Sequence, residues 1–223
     1  MGALGRLVML MMPITPKFVI GWVAKRYVAG PDLESALQVM RSMKSQGACF
    51  TLDVLGEEIT NLEEANFFVN EYHRALDAII AEGIDANISI KPTAFGLLID
   101  ENQALEDIEK ITRIASNNNI FVRLDMEDNR VTQSTIDIVI EMHNRGLTNI
   151  GTVLQSRLFR TGDDISSLSS KLGGYSDVRI CKGIYLEPED IAHTKYHDIV
   201  IATNNAIDDL LDAGAYTAIA SHD

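Results

Sequence analysis

The chain is poor in cysteine, with Cys49 and Cys181 the only two in 223 residues. Two thiols cannot supply the disulfide framework of a small secreted domain. Both lie in apolar runs, which predicts buried, reduced thiols in a cytosolic protein. Positive charge is also scarce: 19 Lys and Arg stand against 32 Asp and Glu, for a formal net charge of −13. That balance excludes a broad nucleic-acid footprint, so an anionic ligand must be met by a few local cations. Long hydrophobic runs are missing as well. The most apolar stretch, LVMLMMPITPKFVIGWVA at 7–24, is broken by Pro13, Pro16 and Lys17. Neither half reaches the ~20 apolar residues of a membrane-spanning helix, and no small-x-small cleavage site follows. Residues 1–30 therefore read as a helical arm that packs on the body or rests on a membrane surface. Gly-x-Gly-x-x-Gly and Walker A patterns are absent, which leaves a Rossmann-type or P-loop nucleotide site without sequence support.

What is present is the 46 % apolar, 23 % charged composition of a folded globular chain. From residue 31 one pattern repeats: an amphipathic helical stretch, a Gly or Asn stop, then a short β-branched run. The runs are ACFTLDVLG (48–56), ANISIKPTA (86–94), IFVRLDMED (120–128), NIGTVLQS (149–156), DVRICKGIY (177–185) and YTAIASHD (216–223). Their spacing, roughly 30 to 40 residues, is that of a strand plus a crossover helix, which predicts parallel βα units. PDLESALQVMRSMKSQG starts on Pro31 and Asp32, lines up Leu33, Leu37, Met40 and Met43, and stops at Gly47. VTQSTIDIVIEMHNRG has Thr132 as a cap and Gly146 as terminator. Both read as barrel-wall helices.

Each run finishes on a polar residue: Asp53, Lys91, Asp125, Gln155, Lys182 and His222. Chemistry drawn from the C-terminal ends of many strands belongs to a (β/α)8 TIM-type barrel, whereas a doubly wound sheet gathers it at one switch point. Only about six units occur, and the last run ends on SHD where a loop and helix would follow. Residues 31–223 therefore read as a C-terminally incomplete barrel.

Several strand-end residues carry chemistry. Lys91, before Pro92, suits either a Schiff-base nucleophile or a cation holding a substrate carboxylate, with Asp125 as its natural ionic neighbour. Glu127 and Asp128 read as solvated loop residues. In VRICKGIYLEP, alternation sends Arg179, Cys181 and Gly183 one way and Val178, Ile180 and Lys182 the other. A barrel interior cannot cheaply enclose Arg179 without an anion or an electron-rich ring, to which Gly183 would give close approach and over which Tyr185 could close. Gly173 and Gly174 in SKLGGY read as a turn rather than a phosphate loop. His193 and His197 in HTKYH are spaced for one helical face but lack a Glu between them and a third ligand, so no metal is expected.

NISIKPTAFGLLID, FVRLDMED, GTVLQSRLFRTGDDI, VRICKGIYLEP and YTAIASHD, in this order, resemble the proline dehydrogenase family of the monofunctional bacterial type, from about residue 26 to the last residue. The resemblance implies a distorted (β/α)8 barrel with noncovalent FAD at its strand ends, oxidation of L-proline to Δ1-pyrroline-5-carboxylate, and electron transfer to a quinone. It implies a cytoplasmic enzyme, peripheral at most at the inner face of the membrane. Lys91 would hold the proline carboxylate, Asp125 would orient Lys91, and Arg179 would hydrogen-bond the flavin near N5. Met126, Gln155, Lys182, Gly183, Ile184, Ser221 and His222 would line the flavin, and Tyr185 would pack over the substrate. Three departures stand out. Alanine is usual where Ile184 stands and threonine where Ser221 stands, and the family's arginine pair on a final helix is not reached, so the chain as printed is expected to be a weak enzyme. Two other readings compete: a class I aldolase-like barrel with Lys91 or Lys182 as the Schiff base, and an inactive truncated barrel that acts only by binding partners.

Overall fold

The computed structural model describes residues 29–30 and 32–222. The expected arm at 1–30 lies outside these except for its last two residues. The described residues fall into two compact units, one ending at Ala48 and one starting at Cys49. In the first, helix α1 (Leu33–Lys44) is capped by Asp32, whose carboxylate accepts from the Ser35 N–H at 2.9 Å, and it buries Leu37 and Met40.

The second unit alternates strictly. Its order is β1 (Phe50–Asp53), α2 (Leu62–Glu82), β2 (Ala86–Ile90), α3 (Glu101–Asn117), β3 (Val122–Leu124), α4 (Asn129–Asn144), β4 (Ile150–Gln155), α5 (Thr161–Leu172), β5 (Asp177–Cys181), α6 (Tyr196–Asp212) and β6 (Tyr216–Ala220). A 3-10 turn, Pro92–Phe95, follows β2. All neighbouring strands are parallel and lie in sequence order, β1 to β6. A doubly wound sheet would reverse direction at its switch point. This one never does, and it curls into part of a TIM-type barrel.

Register sorts the side chains into two faces, because in-register neighbours share a side. Ile88, Ile90, Val122, Leu124, Ile150, Leu154, Val178 and Ile180 share one face and are all 1 % exposed or less. The opposite face carries Asp53, Ser89, Arg123, Gln155, Arg179 and Cys181. The apolar face is the one that pays for folding, and the polar face is left for chemistry. The two faces alternate along each strand, as expected for Arg179 and Cys181 against Val178 and Ile180.

Helix α4 corrects one expectation. It starts at Asn129, capped by Asp128, whose carboxylate accepts from the Arg130 N–H at 2.9 Å. Thr132 is instead buried in the first turn, its hydroxyl donating to the Asp128 carbonyl. An aspartate before the helix outcompetes a threonine whose side chain faces the core. Among the described residues no helix is long and apolar enough to cross a membrane.

Candidate functional site

The polar face converges at the C-terminal ends of the strands. Arg179, in the middle of β5, brings its guanidinium within 3.8 Å of Asp125, just past β3. Asp125 also accepts from the Ser89 hydroxyl at 2.7 Å. Arg179, Asp125 and Ser89 therefore form one line across three strands, and the half-buried arginine has the anionic partner that burial requires.

Lys91 is paired otherwise than expected. Its ammonium lies 3.5 Å from Glu57 Oε2, and among the described residues no ion pair joins it to Asp125. The Tyr185 hydroxyl donates to the same Glu57 oxygen at 3.1 Å. Burial, then this bond, push the Tyr185 phenol upward. Gly56, the residue before Glu57, crosses so close to the Phe68 ring that a Cβ there would clash.

Tyr72 explains how β1 leaves the sheet. The ladder runs from Phe50 N–H to Asp85 O, and two steps on it would join Val54 N–H to Ser89 O. At that point the Tyr72 hydroxyl, on a side chain 1 % exposed, is wedged between the strands. It accepts from Val54 N–H at 3.2 Å, contacts the Ser89 carbonyl, and lies 3.0 Å from Asp53 Oδ1. Burial raises the Asp53 carboxyl above its ordinary value; the Tyr72 bond and Lys91 oppose this, and Asp125 and Glu57 add to it. The folded state thus binds a proton on Asp53 more readily than the unfolded chain does. Stability of the parent relative to Asp53→Asn should be greatest below pH 3.8, the ordinary aspartate value, and should fall as pH rises through the folded-state pKa. Urea unfolding of both proteins across a pH series measures this; a difference that stayed flat or grew with pH would contradict it.

Gln155, the last residue of β4, is 2 % exposed; its amide donates to the Glu127 carbonyl at 2.6 Å, while its Oε1 is buried without a partner. That oxygen faces Gly183, which sits at φ +93 and whose Cβ, if present, would lie 2.5 Å from it. Lys182 turns to Tyr196, donating to its hydroxyl at 3.2 Å and lying 4.6 Å from its ring centroid. Ile184 is 85 % exposed, Met126 is buried, and Ser221 and His222 are exposed just past β6. An orphan buried acceptor, the Lys182 side chain, a left-handed glycine and an exposed apolar side chain are groups that could together receive a flat heteroaromatic cofactor with a charged tail.

Other expectations are corrected. Glu127 is buried, not solvated: it accepts from the Thr93 N–H at 2.9 Å and from the Thr93 hydroxyl at 2.5 Å, and burial raises its carboxyl despite these bonds. Cys49 is exposed and Cys181 only partly covered, because one precedes the outer strand β1 and the other lies on the polar face; both are free thiols. His193 lies in the loop before α6, edge-on to Phe159 at 4.7 Å, so it shares no helical face with His197. Gly173 ends α5 in a tight turn. Among the described residues no three His, Cys, Asp or Glu side chains are grouped to hold a metal. Tyr72, Glu57 and Ser89 received no role from the sequence. The one available signal was Gly56-Glu57, a glycine and an acid at the close of the first run.

Similarity to known proteins bears on the family and the fold. The proline dehydrogenase family profile matches residues 36–223. The chain is 34 % identical over 200 residues to Proline dehydrogenase 2 of Bacillus subtilis and 32 % identical over 209 residues to Proline dehydrogenase of Deinococcus radiodurans. In each case 90 % of this chain is covered, and the chain spans 65 % of the relative's length. Among solved structures, proline utilization A from Bdellovibrio bacteriovorus, inactivated by N-propargylglycine, superposes with a TM-score of 0.80 at 21 % identity, covering 89 % of this chain and 25 % of that one. Proline utilization A from Bradyrhizobium japonicum gives 0.69 at 16 % identity, covering 78 % and 21 %. At these identities the structural likeness is one of fold, and the fold is the TIM-type barrel already read from strand order. With the profile spanning most of its length and close sequence relatives over 90 % of it, this chain belongs to the proline dehydrogenase family.

Proposed function

We propose that the chain carries the catalytic face of a flavoenzyme that oxidises L-proline to Δ1-pyrroline-5-carboxylate and delivers the electrons to a quinone, in the cytoplasm and peripheral at most to the membrane. The observation that carries this reading is the Lys91–Tyr185 pair, which already grips one carboxylate oxygen, that of Glu57. An ammonium and a phenol converging on one oxygen are equipped to hold the carboxylate of an amino acid. FAD, when bound, supplies the two-electron acceptor. Gln155, Lys182, Gly183, Ile184, Met126, Ser221 and His222 are the residues that would hold it. Arg179 brings positive charge to the polar face beside Asp125, where it stabilises negative charge that develops during transfer. Asp125 in turn keeps the guanidinium aligned.

A Schiff-base role for Lys91 fits less well, because its side-chain nitrogen is already engaged by Glu57 at 3.5 Å rather than lying in an apolar pocket. The test is a visible spectrum of the purified chain, before and after added FAD, followed by L-proline. Oxidised-flavin bands that bleach with proline are expected. A colourless protein that takes up no FAD would overturn the reading.

A further inference from the structure

The loop from Lys182 to Lys195 contains four consecutive residues proposed to touch flavin and substrate, Lys182, Gly183, Ile184 and Tyr185, yet it has no helix or strand of its own beyond one isolated bridge. Something outside it must hold its shape, since an irregular segment of this length has few internal backbone bonds. Arg157, two residues past β4, meets the loop at three points. Its backbone N–H donates to the Lys182 carbonyl at 3.3 Å, and its own carbonyl accepts from the His193 N–H at 2.8 Å. Its guanidinium donates through NH1 to the Tyr185 carbonyl. The aliphatic stem lies directly against Gly183, where a Cβ would come 2.8 Å from Arg157 Cδ and 3.1 Å from Cγ. The absence of a side chain at Gly183 is therefore what lets the stem pass beneath the loop. One residue ties together the start of the loop, its tyrosine and its far end.

We propose that Arg157 is a positioning residue that clamps the Lys182–Tyr185 segment, setting where Gly183 and Ile184 meet the cofactor and where Tyr185 stands relative to Lys91. The cofactor part of this rests on the flavin reading above, whereas the clamp itself does not. The two backbone bonds survive any substitution, so the side chain's share is the Tyr185 carbonyl bond and the packing under Gly183. Methionine keeps a stem of similar reach and loses the donors. Lysine keeps the stem, the charge and one donor, without the planar fork.

The experiment compares the parent chain with Arg157→Met and Arg157→Lys. Amide hydrogen exchange is followed by mass spectrometry without flavin, together with the thermal midpoint. FAD affinity is then read from quenching of free-flavin fluorescence on titration. In Arg157→Met, exchange within 183–187 should accelerate roughly tenfold, the consequence of losing one charge-assisted bond. Peptides from α3 and α4 should exchange as in the parent. FAD affinity should fall by a similar factor, and Arg157→Lys should recover part of both effects. Unchanged exchange in 183–187, or acceleration spread evenly over the chain with a lowered midpoint, would overturn the clamp. If the parent takes up no FAD, the flavin reading fails and the exchange data alone decide the role of Arg157. If the parent binds FAD and Arg157→Met binds it equally well despite a loosened loop, the cofactor-positioning part is wrong.

Discussion

Replacing Arg179 by methionine is expected to slow the proline-dependent bleaching of bound flavin about 10²-fold, with a smaller change in the proline concentration needed for half-saturation. The argument starts from position. Among the described residues Arg179 is the cation inside a strand of the polar face near the mouth, and its partner Asp125 also accepts from Ser89 at 2.7 Å. On the proposed flavin reading, a cation held beside Asp125 has little to reorganise as charge develops, so its loss should fall on the rate rather than on binding. Methionine fills similar volume without the charge. Stopped-flow absorbance at a series of proline concentrations separates the two parameters. Equal limiting rates in variant and parent would remove Arg179 from the chemistry.

The second large effect concerns stability. Arg123 is 4 % exposed on the same face, deeper than Arg179. Its guanidinium donates to the Thr152 carbonyl at 3.0 Å and to Asp177 Oδ1 at 2.7 Å, and it lies 4.9 Å from the Phe121 ring centroid. The register places Gly151 between Arg123 and Asp177, and a Cβ there would strike the Asp177 carbonyl. The pair can thus form only across a glycine. Burial pulls the Arg123 pKa down, and Asp177 opposes that pull. Asp177→Ala strands a buried cation and should cost about 3 kcal/mol in urea unfolding. The double change Arg123→Met with Asp177→Leu should cost markedly less, because no unpaired charge remains. A double variant as unstable as Asp177→Ala would mean that packing, not charge, sets the loss.

Much of the fold could be read in the primary structure, because its determinants are local. The runs at 48–56 through 216–223 each contain the strand later observed, and polar ends such as Asp53, Lys91 and Gln155 follow from alternation alone. The two faces of β5 were legible for the same reason: Val178 and Ile180 must be buried together, which turns Arg179 and Cys181 the other way. The motifs that resemble proline dehydrogenases named the family for a related reason, since a strand and the turn after it bring most of a site from contiguous residues.

What tertiary structure alone decided are the partners. Lys91 meets Glu57 rather than Asp125, Glu127 is buried rather than solvated, and Tyr72 reaches from a helix into a strand ladder. His193 leaves the helix because its backbone is bonded to Arg157. Each of these contacts joins residues 17 to 36 positions apart in the chain. Their geometry depends on where two independent loops end in space, and the energies that choose among candidate partners differ by only about 1 kcal/mol per bond. Composition and periodicity determine that a polar mouth exists; only the packed barrel determines which charge faces which.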